Sequence, residues 1–393
     1  MMTDFYRIRR LPPYVFAEVN AMKAQARARG VDIVDLGMGN PDGPPPPHVV
    51  EKLAEMARNP KAHGYSASKG IAGLRRAQAG YYARRFGVEL DPETEVVVTL
   101  GSKEGLANLA QAITAPGDVV LAPNPSYPIH QFGFIIAGAA IRSVPAAPGP
   151  EFFASLERAV RFTVPKPSVL VIGYPSNPTA YVADLAFYER LVAFAREHAL
   201  WVISDLAYAE IYFGDAPTPS ILEVPGARDV AVEFTSMSKT YSMAGWRIGF
   251  AVGNRTLIGA VTRVKSYLDY GAFTPVQAAA VAALNGPQDI VEANRRLYRA
   301  RRDCLVESFA RAGWDIPPPE ASMFAWAPIP APFRGLGSVG FAKRLLEEAQ
   351  VAVAPGVGFG EEGEGFVRIA LVENEQRLRQ AARGVRKMLA RGP

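Results

Sequence analysis

Between residues 92 and 252 the chain alternates short, solidly apolar runs with stretches of helical periodicity. The runs at 96–100, 119–122, 169–173, 200–204, 230–234 and 247–252 read as strands, and helical patterns at 103–114 and 184–198 fall between them. Strands that are apolar on both faces and separated by helices predict a mostly parallel sheet covered on both sides, the core of a large three-layer α/β domain. Beyond 252 the pattern changes. Long helical text runs to about 311, and strand-like runs at 323–327, 351–354 and 367–371 then alternate with helices at 339–350 and 375–389. This predicts a smaller α/β domain. Upstream, Leu11-Pro12-Pro13 precedes a helix near 14–29, and Gly37-Met38-Gly39-Asn40-Pro41 with the proline run at 44–47 reads as a stiff connector before a helix starting near Val49. The expected organisation is an N-terminal arm and part of the small domain over 1–45, the large domain over 46–285 and the small C-terminal domain over 286–393. No internal repeat or low-complexity segment interrupts it.

Composition narrows the class. In 393 residues, 49% are hydrophobic and 21% charged, enough to bury a sizeable core. No apolar run reaches the 18 or so residues of a membrane span, and residues 1–10 lack the apolar stretch of a secretory signal. The formal charge of +5 suits acidic substrates. The basic residues are interspersed with acids, as in Arg299–Glu307, rather than gathered on one face, which argues against a nucleic-acid partner. Cys304 is the single cysteine. It permits no intrachain disulfide, fits a reducing cytoplasm and excludes a cysteine-cluster metal site; no metal is expected.

The candidate chemistry lies at strand ends, where open α/β sheets bind ligands. Thr99-Leu100-Gly101-Ser102-Lys103-Glu104-Gly105 follows a strand and opens a helix: either an ordinary N-cap at Ser102 or an anion site built from free N–H groups. Tyr174-Pro175-Ser176-Asn177-Pro178-Thr179 reads as a turn that aims the Asn177 amide into the crevice. Asp205, in Ser204-Asp205-Leu206-Ala207-Tyr208, is an N-cap or the partner of a buried cation. Lys239, in Ser236-Met237-Ser238-Lys239 ahead of Gly245-Trp246-Arg247-Ile248-Gly249, is a solvated lysine or, in an apolar crevice near other cations, a Schiff-base nucleophile.

In this order on alternating strands, these motifs resemble the class I/II aminotransferases of fold type I, which use pyridoxal 5'-phosphate (PLP), and most closely the bacterial glutamate–pyruvate (alanine) branch, relatives of the LL-diaminopimelate enzymes. The matching text spans nearly the whole chain: LGMGNPDGP, HGYSASKGI, GSKEGL, PNPSYPIH, PSNPTA, DLAYAEI, SMSKTYSMAGWRIGF and VRIAL-x-EN. The resemblance implies that Lys239 carries the cofactor and moves the proton at Cα. It implies that Asp205 faces the pyridine nitrogen, that Asn177 and Tyr208 donate to the ring's phenolate oxygen, and that Tyr127 stacks on the ring. Ser102, Lys103, Ser236, Ser238 and Arg247 are then the phosphate ligands, the arginine through its fork, joined by Tyr65 from a partner subunit; a homodimer with shared sites follows. Arg368 is implied as the clamp for the substrate α-carboxylate, with Gly39 and Tyr14 lining the substrate side. Amino acids and 2-oxo acids are the implied substrates, alanine with 2-oxoglutarate first among them. One departure stands out: many class I enzymes read Asn-Pro-Thr-Gly, and here Ala180 follows Thr179.

Rival patterns are weaker. Ser236-x-x-Lys239 fits a serine acyl-enzyme motif, but its companion Lys-Thr-Gly element fails at Lys239-Thr240-Tyr241. Gly335-Leu336-Gly337-Ser338-Val339-Gly340 fits a dinucleotide fingerprint without a preceding strand or a following acidic residue and reads as a loop. An effector sensor fused to a DNA-binding module needs a domain that the roughly thirty residues before Gly37 are too few to form. Another PLP chemistry, such as a lyase, stays open at this point.

Overall fold

The computed structural model describes residues 5–13 and 15–392. Twelve strands form among them: β1 (Val34–Asp35), β2 (Val96–Thr99), β3 (Val119–Asn124), β4 (Ala140–Pro145), β5 (Val169–Ile172), β6 (Trp201–Asp205), β7 (Ala231–Ser236), β8 (Gly249–Gly253), β9 (Phe324–Pro328), β10 (Val351–Ala352), β11 (Ala354–Pro355) and β12 (Phe366–Ala370). The large sheet runs β2-β8-β7-β6-β5-β3-β4. All its pairings are parallel except the two made by β8. The α/β class with a mostly parallel sheet is therefore the observed one.

Strand alternation explains why both faces are apolar. Val96, Val98, Leu170 and Ile172 point into one core with Leu74, Tyr82, Phe152, Phe187 and Leu191 from flanking helices. Their neighbours Val97, Val169 and Val171 point into the opposite core with Leu106, Leu109, Phe134 and Val261. With side chains alternating faces along each strand, a strand buried on both faces has no polar positions to spare. A separate core joins Val19, Val34 and Leu36 to Tyr298, Trp314, Phe324, Phe341, Ile369 and Val385, so the early segment packs with the C-terminal third. Cys304 is buried in the helix Asp289–Arg311.

The structure corrects three sequence expectations. The edge strand β4 has no apolar run, because Val144 is the one buried residue of its six and the other five keep surface accessible. The expected strand 351–354 is two strands: β10 pairs with β1, and β11 pairs with β12 in another sheet. The glycine-rich 335–340 segment is not a loop; it ends a 3-10 turn over Ala331–Leu336 and starts the helix Gly337–Ala349, with no strand immediately before it.

Candidate active site

The C-terminal ends of β2, β3, β5, β6 and β7 lie on one edge of the sheet because these strands run in the same direction. The antiparallel β8 begins on that edge, with Gly249 beside both Thr99 and Ser236, so Arg247 just ahead of it faces the same crevice. A cavity of about 590 Å³ opens there. Gly39, Ser102, Lys103, Tyr127, Asn177, Asp205, Tyr208, Ser236, Ser238, Lys239, Arg247 and Arg368 all line it, gathering residues more than three hundred positions apart. Tyr65 does not: it is 89% exposed and packs at a tilt against Tyr270, ring centres 4.5 Å apart. Tyr14 lies outside the described residues.

At one end of the cavity Arg247 meets the start of the helix Ser102–Ile113. The N-cap is Gly101, not Ser102 as an ordinary cap would require, and no side chain caps the helix. Its first-turn N–H groups and the positive helix end favour an anion. Gly101 has φ +86°, and a Cβ there would lie 2.2 Å from the Arg247 guanidinium, so glycine lets the arginine close over the turn. Arg247 donates to Ala244 O at 2.8 Å and Leu100 O at 3.3 Å. Ser102 Oγ donates to Thr235 O at 2.9 Å, which leaves its lone pairs, rather than its proton, toward the cavity. Ser236 Oγ accepts from Ser238 N at 3.1 Å and keeps its hydroxyl proton available.

Asp205 ends β6 buried. Its Oδ2 is 2.9 Å from His130 Nε2, while Oδ1 is buried without a hydrogen-bond partner. A buried carboxylate with an open lone pair on a cavity wall calls for a cationic N–H donor. Sequence reasoning left His130 unassigned within PNPSYPIH. The signal was there: it is a polar residue beside Ile129, Phe134 and Ala137 on the buried face of the helix Ile129–Ala137.

Lys239 donates to Gly39 O at 2.5 Å. Burial, with Arg368 and Arg247 adding repulsion, lowers its amine to about 8. Arg368 is buried and donates to Asn177 Oδ1 and Gly37 O, both at 2.8 Å. It is sandwiched by the rings of Phe324 and Phe359 at 4.1 and 4.7 Å, which fix its fork. Gly39 allows the close approach, since a Cβ would strike the Phe324 ring at 2.5 Å. Burial pushes the Tyr208 phenol well up, Tyr127 adding to the effect and Arg368 opposing it, so Tyr208 keeps its proton and acts as a donor. Lys103 is exposed, its ammonium 5.8 Å from the Tyr127 ring centre. Ala180, where many class I enzymes have glycine, has a left-handed backbone at φ 59°, a strain of about 1 kcal/mol.

The family of class I and II aminotransferases matches residues 31–385. The chain belongs to this family. Putative aminotransferase AatC of Rhizobium meliloti is 65% identical over 99% of this chain and 96% of that protein. Glutamate-pyruvate aminotransferase AlaC of Escherichia coli is 56% identical over 98% and 93%. Among solved structures, substrate-bound BacF from Bacillus subtilis superposes with a TM-score of 0.92 at 37% identity, covering 100% of this chain and 99% of that one. The aminotransferase is PLP-dependent, and its cavity suits that cofactor: an uncapped helix start beside an arginine for the phosphate, a half-paired buried carboxylate, and a buried amine of lowered basicity. Among the described residues no group of three or more His, Cys, Asp or Glu residues could hold a metal, and no helix is long and apolar enough to cross a membrane.

Proposed function

We propose that the enzyme exchanges amino groups between alanine and 2-oxoglutarate, giving pyruvate and glutamate. The observation that carries this reading is the 56% identity, along nearly the full chain, to a glutamate-pyruvate aminotransferase. Bound PLP supplies the electron sink that lets the substrate Cα–H bond break. In our reading Lys239 holds the cofactor and then, as a free amine, takes and returns the Cα proton; an amine lowered to about 8 is suited to both directions. Asp205 keeps the pyridine nitrogen protonated, with His130 fixing the carboxylate. Asn177 and Tyr208 donate to the phenolate oxygen, and Tyr127 covers the ring. The free N–H groups of Ser102 and Lys103, with Ser236, Ser238 and Arg247, hold the phosphate. Arg368 takes the α-carboxylate common to every substrate, with Gly39 and Tyr14 on the substrate side. We read 46–285 as the cofactor-bearing domain, 1–45 and 286–393 as the arm and small domain, and the cytoplasm as the compartment of this protein with one buried cysteine.

We further propose a homodimer that completes each site. Tyr65, Tyr267, Leu268, Tyr270 and Phe273 expose 89, 84, 60, 61 and 46% of their surface, and the Tyr65–Tyr270 ring contact lies within this aromatic patch, a surface that favours burial against another chain. Tyr65 then reaches the partner's phosphate. An equimolar, subunit-exchanged mixture of Tyr65→Phe and Lys239→Ala enzymes, each impaired alone, is expected to regain up to about a quarter of normal activity per total site, since random pairing makes about half of the dimers mixed, each with one intact site of two. No recovery in a dimer shown to be mixed would put Tyr65 in its own chain's site or in none.

The substrate assignment is tested by comparing kcat/KM for alanine, glutamate, aspartate, phenylalanine, methionine and LL-diaminopimelate. Alanine and glutamate are expected to lead, with aromatic substrates lower by roughly 100-fold or more, because a pocket for small and acidic groups offers a phenyl ring neither space nor partners. A preference for diaminopimelate or an aromatic would overturn the substrate pair and leave the transamination chemistry standing.

A further inference from the structure

A pocket that serves both alanine and glutamate faces an electrostatic problem. Glutamate brings a second carboxylate, which costs several kcal/mol if buried unpaired; alanine brings none, so a cation waiting for that carboxylate would itself be left unpaired. No arginine motif in the sequence answers this.

One face of the helix Phe16–Ala28 does. Phe16, Val19, Asn20 and Lys23, at i, i+3, i+4 and i+7, all line the active-site cavity, as residues on one helical face should. Phe16 packs edge-on against Phe359 at 5.4 Å, the ring that also carries Arg368. Two turns further on, Lys23 Nζ lies 2.9 Å from Asp35 Oδ2, with only 12% of the lysine side chain exposed. Asp35 is shared: Arg27 Nη2 reaches the same oxygen at 3.0 Å, and Gly37 N donates to Oδ1 at 3.2 Å. Two cations around one carboxylate leave a local surplus of one positive charge. The cluster is also tied to the substrate clamp, since the carbonyl of Gly37 accepts from Arg368 Nη2 at 2.8 Å.

The cavity's charges point the same way. Its wall carries five Lys or Arg residues (Lys23, Lys103, Lys239, Arg247, Arg368) and two acids (Asp35, Asp205). In the function proposed above, Arg247 serves the phosphate, Arg368 the α-carboxylate, and Lys239 with Asp205 the cofactor. Lys103 is exposed. Of the two cations left without a role, the Lys103 ammonium sits by the Tyr127 ring, whereas Lys23 is held in place by an ion pair.

We propose that Lys23 binds the side-chain carboxylate of the dicarboxylic substrate and that Asp35 is its built-in counter-ion when the substrate lacks one. With alanine bound, Lys23 stays paired with Asp35 and no charge is stranded. With glutamate or 2-oxoglutarate, Lys23 is shared between Asp35 and the substrate, while Arg27 and Gly37 N continue to neutralise Asp35. Both substrates are then accommodated without a large rearrangement of the wall. This assignment rests on the alanine–glutamate reading and specifies how one site satisfies it.

The test uses PLP-loaded wild-type, Lys23→Met and Asp35→Asn enzymes. Each half-reaction is followed separately. Calorimetry compares binding of glutarate, an unreactive five-carbon dicarboxylate, with binding of butyrate, which lacks the second carboxylate. For Lys23→Met, glutamate kcat/KM and glutarate affinity are expected to fall roughly 10- to 100-fold while alanine stays within about threefold, the scale of one charge-assisted hydrogen bond. Lys23→Arg should keep the glutarate preference. Asp35→Asn should show the reverse pattern, with glutarate affinity held or raised and alanine kcat/KM lowered, because Lys23 then lacks a counter-ion whenever the substrate supplies none. An ion pair that merely braces the helix would make Lys23→Met and Asp35→Asn lower both substrates alike. That result, or a glutarate preference lost in Lys103→Met and kept in Lys23→Met, overturns the assignment. A wild-type enzyme that turns over alanine but not glutamate overturns the proposed function itself, before any variant is compared.

Discussion

Replacing Lys239 with alanine is expected to lower turnover by roughly 10⁴-fold or more, since the change removes both the covalent attachment and the proton carrier at Cα. The expectation follows from position. Lys239 is the lysine that the turn after β7 places inside the cavity, against the carbonyl of Gly39, with burial and two arginines lowering its basicity. The phosphate end of the site lies on other elements, the helix start at Ser102 and Arg247. Lys239→Ala should therefore still retain PLP on gel filtration, non-covalently. Loss of turnover with PLP retained separates a chemical role from a general loss of structure. Near-normal turnover in Lys239→Ala would exclude this lysine from the chemistry.

Asp205→Ala carries the second-largest expected effect. The carboxylate is buried, with one oxygen held by His130 and the other left for a ligand. In the proposed arrangement, alanine removes the negative charge opposite the pyridine nitrogen and strands His130. Removing one member of a buried charge pair commonly costs about 3–5 kcal/mol, so PLP affinity and turnover should both fall by two orders of magnitude or more, about what that energy gives. Asp205→Glu should retain far more of both because it keeps the charge. Equilibrium titration of PLP with kcat measured on the saturated enzyme checks both quantities. An alanine variant with ordinary affinity and turnover would show that Asp205 does not face the ring nitrogen.

These two residues were legible in the sequence for the same reason. Asp205 ends an apolar strand and Lys239 lies in the turn that follows one, and a parallel sheet brings such ends together whatever the loops between them do. Asn177 and Tyr208, in the loops after β5 and β6, follow that logic, while Arg247 reaches the same edge because it precedes the antiparallel β8. Arg368 was legible by resemblance, and its neighbours Val367 and Ile369 do turn to the core while its side chain faces the cavity. What the sequence hid depends on long-range packing. The edge strand β4 lacks an apolar run because much of its surface stays accessible. Val353 separates two short strands that pair with partners in different sheets, and no local periodicity encodes that change. Lys23 and Asp35 look like ordinary charges on a helix and a strand. Only the packing of residues 16–36 onto the C-terminal core turns them toward the cavity. Tyr65 is exposed in the single chain, so the role proposed for it requires a second subunit.

The attachment of the cofactor is tested most directly by chemical trapping. The PLP-loaded enzyme is reduced with borohydride, digested and mapped by mass spectrometry. The expected result is one pyridoxyl adduct, on the peptide containing Ser236-Met237-Ser238-Lys239. An adduct on a different lysine, or none on an enzyme that transaminates, would contradict the assignment of Lys239.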